Sequence, residues 1–136
     1  IQQMNFNYNN FPLDLNNSNL VLNWINTLCT GNVDNIVSLY ASNAVLLGTL
    51  AESIAEGKPE IRKYFEMFTK SQPCGKITTI IEQDFGAIKV FDGTYDFNLT
   101  DPDTGSKSSV SARYTFVFQY VAGTWLIATH HSSKNP

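Results

Sequence analysis

The sequence predicts an α+β domain in which N-terminal helices pack on a strongly curved antiparallel sheet. Three observations carry that reading. Apolar residues recur at helical spacing only before Pro73. Beyond it the chain turns β-branched and aromatic, with regular turn punctuation. At 136 residues the length suits one domain able to bury a sizeable core without staples.

Residues 1–17 are set apart as an Asn-rich arm, since the first 19 residues hold seven Asn around Phe6, Tyr8, Phe11 and Leu13 with no helical or strand period. The single domain spans 18–136. Ser18 is a good N-cap, Leu20, Val21, Trp24, Ile25 and Leu28 share one helical face, and Gly31 ends the segment. A second short helix is expected over Val33–Tyr40, broken by Ser42-Asn43, and forms a hairpin with the first. Ala44–Leu47 reads as a short buried strand. Pro59 opens a third helix, expected to reach about Lys70, with Ile61, Tyr64, Phe65 and Phe68 inward and Arg62, Lys63, Glu66 and Lys70 in water.

The second half predicts strands near 76–84, 87–91, 94–100, 107–120 and 124–133. Asp92-Gly93, Asp101–Gly105 and Ala122-Gly123 are the expected turns, because their residues tolerate tight or positive-φ geometry.

Composition excludes several function classes. Nine basic against twelve acidic residues leave a net charge of −3, no surplus for gripping a phosphate backbone or an anionic lipid surface. Nucleic acid and membrane are therefore not expected partners. The apolar run Ala44–Leu47 is far short of the roughly 20 residues that span a bilayer. Cys29 and Cys74 form neither a CxxC pair nor a zinc-ribbon spacing, and sequence leaves their pairing open. The chain starts at Ile1, which slightly favours an exported or periplasmic protein over a cytoplasmic one.

The chemistry-bearing residues cluster late in the chain. In the strand 107–120, Val110, Ala112, Tyr114, Phe116 and Phe118 alternate with Ser109, Ser111, Arg113 and Thr115. Arg113 is either the partner of Glu82 or Asp84 or a donor for a carboxylate or bicarbonate, which its planar fork matches. The aromatic face, with Tyr120, is either core or a subunit interface. The last strand carries both histidines among hydroxyls, His130-His131-Ser132-Ser133. Period two puts His130 with Ser132 on one face and His131 with Ser133 on the other, so one His-Ser pair at most lines a given pocket. Two histidines without an HExxH supply no zinc set, and without GxSxG there is no nucleophile elbow. No metal and no cofactor are expected.

Four stretches together resemble a known family: Val45–Leu50, Ile61–Phe65, Ala112–Phe116, and Gly123–Ile127 leading into His130–Ser133. They are similar to the nuclear transport factor 2-like superfamily of conical α+β folds, specifically bacterial SnoaL-like proteins resembling the calcium/calmodulin-dependent protein kinase II association domain. The resemblance covers residues 18–136 and includes no kinase sequence, so no kinase activity is implied. One branch, the iota-class carbonic anhydrases, ends in a His-His-His-Ser-Ser run and has members that work without metal. Here Thr129 stands at the first His of that run. The resemblance implies Thr49, Tyr64, His130 and Ser132 as catalytic residues. Phe65, Arg113 and His131 would contact the ligand.

Carbon dioxide hydration is accordingly one expected function, with Leu47, Phe65 and Phe68 as apolar wall, Thr49, Tyr64 and Ser132 as donors and His130 as general base. On that reading His130→Ala leaves the melting temperature within a few degrees. The alternative is a non-catalytic small-ligand-binding or oligomerisation module. A third, acid–base chemistry on a larger organic ligand, needs a pocket carboxylate that Asp84, Asp92 and Asp96 do not clearly supply. The expected partners are a second copy of the chain, in a homodimer or larger ring, and a small molecule or anion such as bicarbonate.

Overall fold

One mixed sheet carries the fold. The structure, a computed structural model, describes the strand Gln2–Phe6 and residues 20–136. In chain order its elements are β1 (Gln2–Phe6), α1 (Leu20–Cys29), α2 (Val33–Val37), β2 (Tyr40–Leu47), β3 (Ala55–Glu56), α3 (Gly57–Phe68), β4 (Cys74–Asp84), β5 (Ile88–Thr100), β6 (Lys107–Val121) and β7 (Thr124–Lys134). The strands lie in the order β1-β4-β5-β6-β7-β2-β3. All neighbours are antiparallel except β2 and β7. Register shifts at Ile77/Thr79 in β4, at Val117/Phe118 between β6 and β7, and at Tyr40/Val45 in β2 are the bulges that bend such a sheet. α1 packs on β4, α3 on β2 and α2 on α3, filling the concave side. Among the described residues no helix is long and apolar enough to cross a membrane.

The expected α+β architecture is what forms, and the differences are local. α2 ends at Val37, so Tyr40 opens β2 instead of closing a helix. Its backbone runs beside β7, where Ile127 N donates to Leu39 O at 2.9 Å, and its ring is fully buried. Asp92-Gly93 is not a turn. Residues 88–100 form one continuous strand, and the β4–β5 turn lies at Phe85–Ala87. Gly93 serves close approach: a Cβ there would stand 2.1 Å from Thr79 O and 2.6 Å from Tyr114 Oη, beside the β4 bulge. The turns at Asp101–Gly105 and Ala122-Gly123 form as expected. Within the segment read as an arm, Gln2–Phe6 pairs antiparallel with β4. The packing of Phe6, Tyr8, Phe11 and Leu13 lies outside the described residues.

The aromatic face of β6 is core. Tyr114, Phe116 and Phe118 are buried beside Phe91, Tyr95 and Trp24, while Tyr120 is half exposed against Trp125. Cys29 and Cys74 form a disulfide that ties the end of α1 to the start of β4. Closing that 45-residue separation stabilises the fold by about 4 kcal/mol in the chain-entropy account. Such bonds persist in oxidising compartments.

Candidate functional site

The site grows from the parallel neighbours β2 and β7. In the register His130 lies between Leu46 on β2 and Phe116 on β6, and Ser132 lies beside Tyr114. Alternation along β7 turns His130 and Ser132 inward together, as expected. Thr49 follows directly after β2, and Tyr64 projects from α3, whose apolar stripe also buries Ile61 and Phe65. Gly48 makes the approach feasible. A Cβ at that position would sit 2.3 Å from Tyr64 Cε1, so any side chain there would push the ring away.

These residues enclose a small cavity lined by Thr49, Tyr64, Phe65, Phe68, His130 and Ser132, together with Trp24, Leu46, Tyr95 and Phe97. Its free volume is about 10 Å³, room for about one water molecule. Gly48 and Ser132 also border a surface cleft on the other side, formed by Leu47, Leu50, His131 and Lys134.

A continuous hydrogen-bond chain runs through the wall. Trp24 Nε1 donates to Tyr40 Oη at 3.1 Å, and Tyr40 Oη lies 2.9 Å from His130 Nδ1. His130 Nε2 lies 3.2 Å from Tyr95 Oη, which donates to Ser132 Oγ at 2.6 Å. Ser132 Oγ in turn shares a short hydrogen bond with Thr49 Oγ1. Tyr64 Oη reaches Thr49 O at a long 3.5 Å.

His130 is 2% exposed and stacked on Phe116 with ring centroids 3.9 Å apart, while Trp24 meets it edge-on at 5.0 Å. Burial, helped by the adjacent His131, pushes its pKa down to about 3, so the ring is neutral at physiological pH. Protonating it costs about 5 kcal/mol relative to a free imidazole. Burial also raises the phenols: Tyr64 to about 12, and Tyr40 and Tyr95 well above the ordinary range, so all three remain protonated donors.

Six residues singled out from sequence therefore meet at one cavity: Thr49, Tyr64, Phe65, Phe68, His130 and Ser132. Three do not. Leu47, expected in the apolar wall, borders the outer cleft instead, because strand alternation turns its neighbour Leu46 inward. His131 is exposed on the opposite face of β7, in the outer cleft. Arg113 is exposed on the outer face of β6, beside Thr94 and Ser133. Its expected partners are taken by another cation, as Lys89 Nζ lies 3.3 Å from Glu82 and 3.7 Å from Asp84. The sequence reading missed Trp24, Tyr40 and Tyr95. A buried Trp or Tyr carries a polar atom that needs a partner, and that requirement was the available signal. Among the described residues no group of three or more His, Cys, Asp or Glu is placed to hold a metal ion.

Residues 16–136 match the family described as calcium/calmodulin dependent protein kinase II association domain. Among solved structures, a protein described as such an association domain from Xanthomonas campestris is 40% identical. That match covers 88% of this chain and 85% of the other, with a TM-score of 0.83. A nuclear transport factor 2-like superfamily protein from Salmonella enterica shares the fold at 14% identity, covering 86% and 87% of the two chains with a TM-score of 0.76. A protein of the same fold family from Streptomyces avermitilis, described as a dehydratase, does so at 12%, covering 87% and 93% with a TM-score of 0.78. No protein of curated function matches the chain significantly. With the cone-like helix-on-sheet architecture and a family match spanning nearly the whole chain, this protein belongs to the calcium/calmodulin dependent protein kinase II association domain family.

Proposed function

We propose that the cavity takes carbon dioxide and water and hydrates the gas to bicarbonate. The observation that supports this reading is the end of the hydrogen-bond chain: the Thr49 and Ser132 hydroxyls stand in the wall of a cavity whose other lining combines Leu46, Phe65, Phe68 and Phe97 with the rings of Trp24, Tyr64, Tyr95 and His130. Carbon dioxide is linear and apolar, so Leu46, Phe65, Phe68 and Phe97 suit it better than they suit water. Three atoms in line need more room than the one-water space now open. The half-buried Tyr64 and Phe68 are the side chains whose rotation supplies it.

Attack of water oxygen on carbon forms one C–O bond while the π pair of one C=O bond moves onto its oxygen, where negative charge develops, and one O–H bond of the water breaks. The hydroxyl proton that the Thr49–Ser132 pair leaves free, fixed before the reaction, stabilises that charge without reorganising. The proton is taken up by solvent water of the outer cleft, reached past Ser132, which borders both that cleft and the cavity. His130 is not the immediate base on this reading. Both ring nitrogens face tyrosine hydroxyls, and burial makes its imidazolium costly. Acid–base chemistry on a larger organic substrate is less well served, because no carboxylate lines the cavity.

Stopped-flow hydration of carbon dioxide with a pH indicator tests this, using chelator-treated protein, zinc-supplemented protein and the Ser132→Ala variant. Activity that survives chelation and falls at least tenfold in the variant supports the reading. A trace equal to buffer in every condition refutes it.

A second reading, assembly of copies into a dimer or ring, is favoured by the family itself and by one surface feature. Phe85, Ile88, Tyr120 and Val121 stand 37–50% exposed at one end of the sheet, an apolar group that association would cover. Light scattering on the wild type and on Tyr120→Lys separates a monomer from a dimer that the substitution splits.

A further inference from the structure

The hydrogen-bond chain has a direction, and the direction can be derived. Indole Nε1 only donates, so Tyr40 Oη accepts from Trp24. Tyr40 has one proton of its own, and among the described residues its sole remaining partner is His130 Nδ1. Nδ1 is therefore the acceptor. From the other end, Tyr95 commits its proton to Ser132 Oγ at 2.6 Å, so toward His130 Nε2 it can only accept. Nε2 therefore carries the imidazole proton. The opposite tautomer would place two donors on Tyr40 and leave its proton without an acceptor. It would also leave Nε2 without a donor, a costly arrangement for buried groups. Between Ser132 and Thr49 there are two hydroxyl protons and one shared hydrogen bond, whichever of the two donates. One hydroxyl proton is left over at the cavity wall.

We infer that Tyr40 and Tyr95 are positioning residues that hold His130 as the neutral Nε2–H tautomer and, through Ser132, keep one hydroxyl donor of the Thr49–Ser132 pair directed into the cavity. His130 then acts as a fixed link in a polarised chain. Donors aligned head to tail strengthen one another, which sharpens the hydroxyl at the open end. Only the statement that this donor serves carbon dioxide rests on the function proposed above.

The test is nitrogen NMR of ring-labelled protein, full chain, in a His131→Gln background. His131 is exposed and outside the network, so this leaves one imidazole signal without disturbing the chain of bonds. The wild-type ring should show a proton-bearing Nε2 and a bare Nδ1 throughout pH 5–8. Tyr40→Phe and Tyr95→Phe each release one end, and the single species should give way to a mixture of both neutral tautomers. A wild-type Nδ1–H tautomer overturns the inference, as does an unchanged Nε2–H species in both folded variants. Should either variant fail to fold, the wild-type tautomer alone decides. A correct tautomer with no carbon dioxide hydration would retain the positioning role and discard the proposed reaction.

Discussion

Replacing His130 by alanine is the perturbation with the most structure behind it. The imidazole is 2% exposed, stacked on Phe116, and hydrogen-bonded on both nitrogens. Truncating a ring of this size in a close-packed interior costs about 3 kcal/mol in lost transfer and residual cavity. The hydroxyls of Tyr40 and Tyr95 each lose a partner, adding about 1 kcal/mol apiece. The sum is about 5 kcal/mol. With roughly 2.1 cal/mol/K of unfolding entropy per residue over 136 residues, the slope is about 0.29 kcal/mol/K. The melting temperature should fall by about 17 °C, not stay within the few degrees expected of His130 as a general base. His130→Gln fills more of the space and places an amide donor near Tyr95, so its loss should be about 2 kcal/mol, or about 7 °C. Thermal melts followed by circular dichroism at pH 7 measure both. An alanine variant melting within about 3 °C of wild type would refute the buried, doubly bonded histidine.

Three other predictions follow from named contacts. The folded His130 pKa, about 3, lies below the unfolded value near 6.5, so the unfolded chain binds the extra proton between them and stability falls as pH drops through that window. From pH 7 to 5 the wild type should lose about 2 kcal/mol more than His130→Gln in denaturant titrations, and equal losses would contradict the neutral buried ring. Reducing the Cys29–Cys74 bond removes about 4 kcal/mol, so dithiothreitol should lower the melting temperature by about 14 °C, and an unchanged melt would argue against the cross-link. Gly48→Ala should displace the Tyr64 ring and cost about 1–3 kcal/mol, visible as a changed Tyr64 rotamer in a crystal structure; an unmoved ring would show that the backbone at residue 48 yields instead of the ring.

The features legible in the sequence were those that depend on local periodicity. The 3.6-residue stripe of α3 placed Tyr64 and Phe65 correctly, and two-residue alternation on β7 separated His130 and Ser132 from His131 and Ser133. The features that were hidden depend on what meets across the sheet. Asp92-Gly93 has the composition of a hairpin turn, and reading it so cut β5 in two and removed Tyr95 from view. Only the approach of Thr79 and Tyr114 explains the glycine. Tyr40 continues the apolar spacing of α2, yet its backbone is claimed by β7, and its hydroxyl meets His130 ninety residues away. Arg113 looked like the natural partner of Glu82, but Lys89 faces that carboxylate from the adjacent strand. The Cys29–Cys74 bond joins a helix end to a strand start, a distance that spacing alone does not encode.

The central claim is that a small molecule sits against the Thr49 and Ser132 hydroxyls. A crystal structure of chelator-treated protein pressurised with carbon dioxide tests it most directly. The account predicts linear density between Phe65 and the two hydroxyls, with Tyr64 or Phe68 rotated to admit it, and the loss of that density in Ser132→Ala. A cavity that stays closed and empty under pressure, with carbon dioxide elsewhere or nowhere, would contradict it.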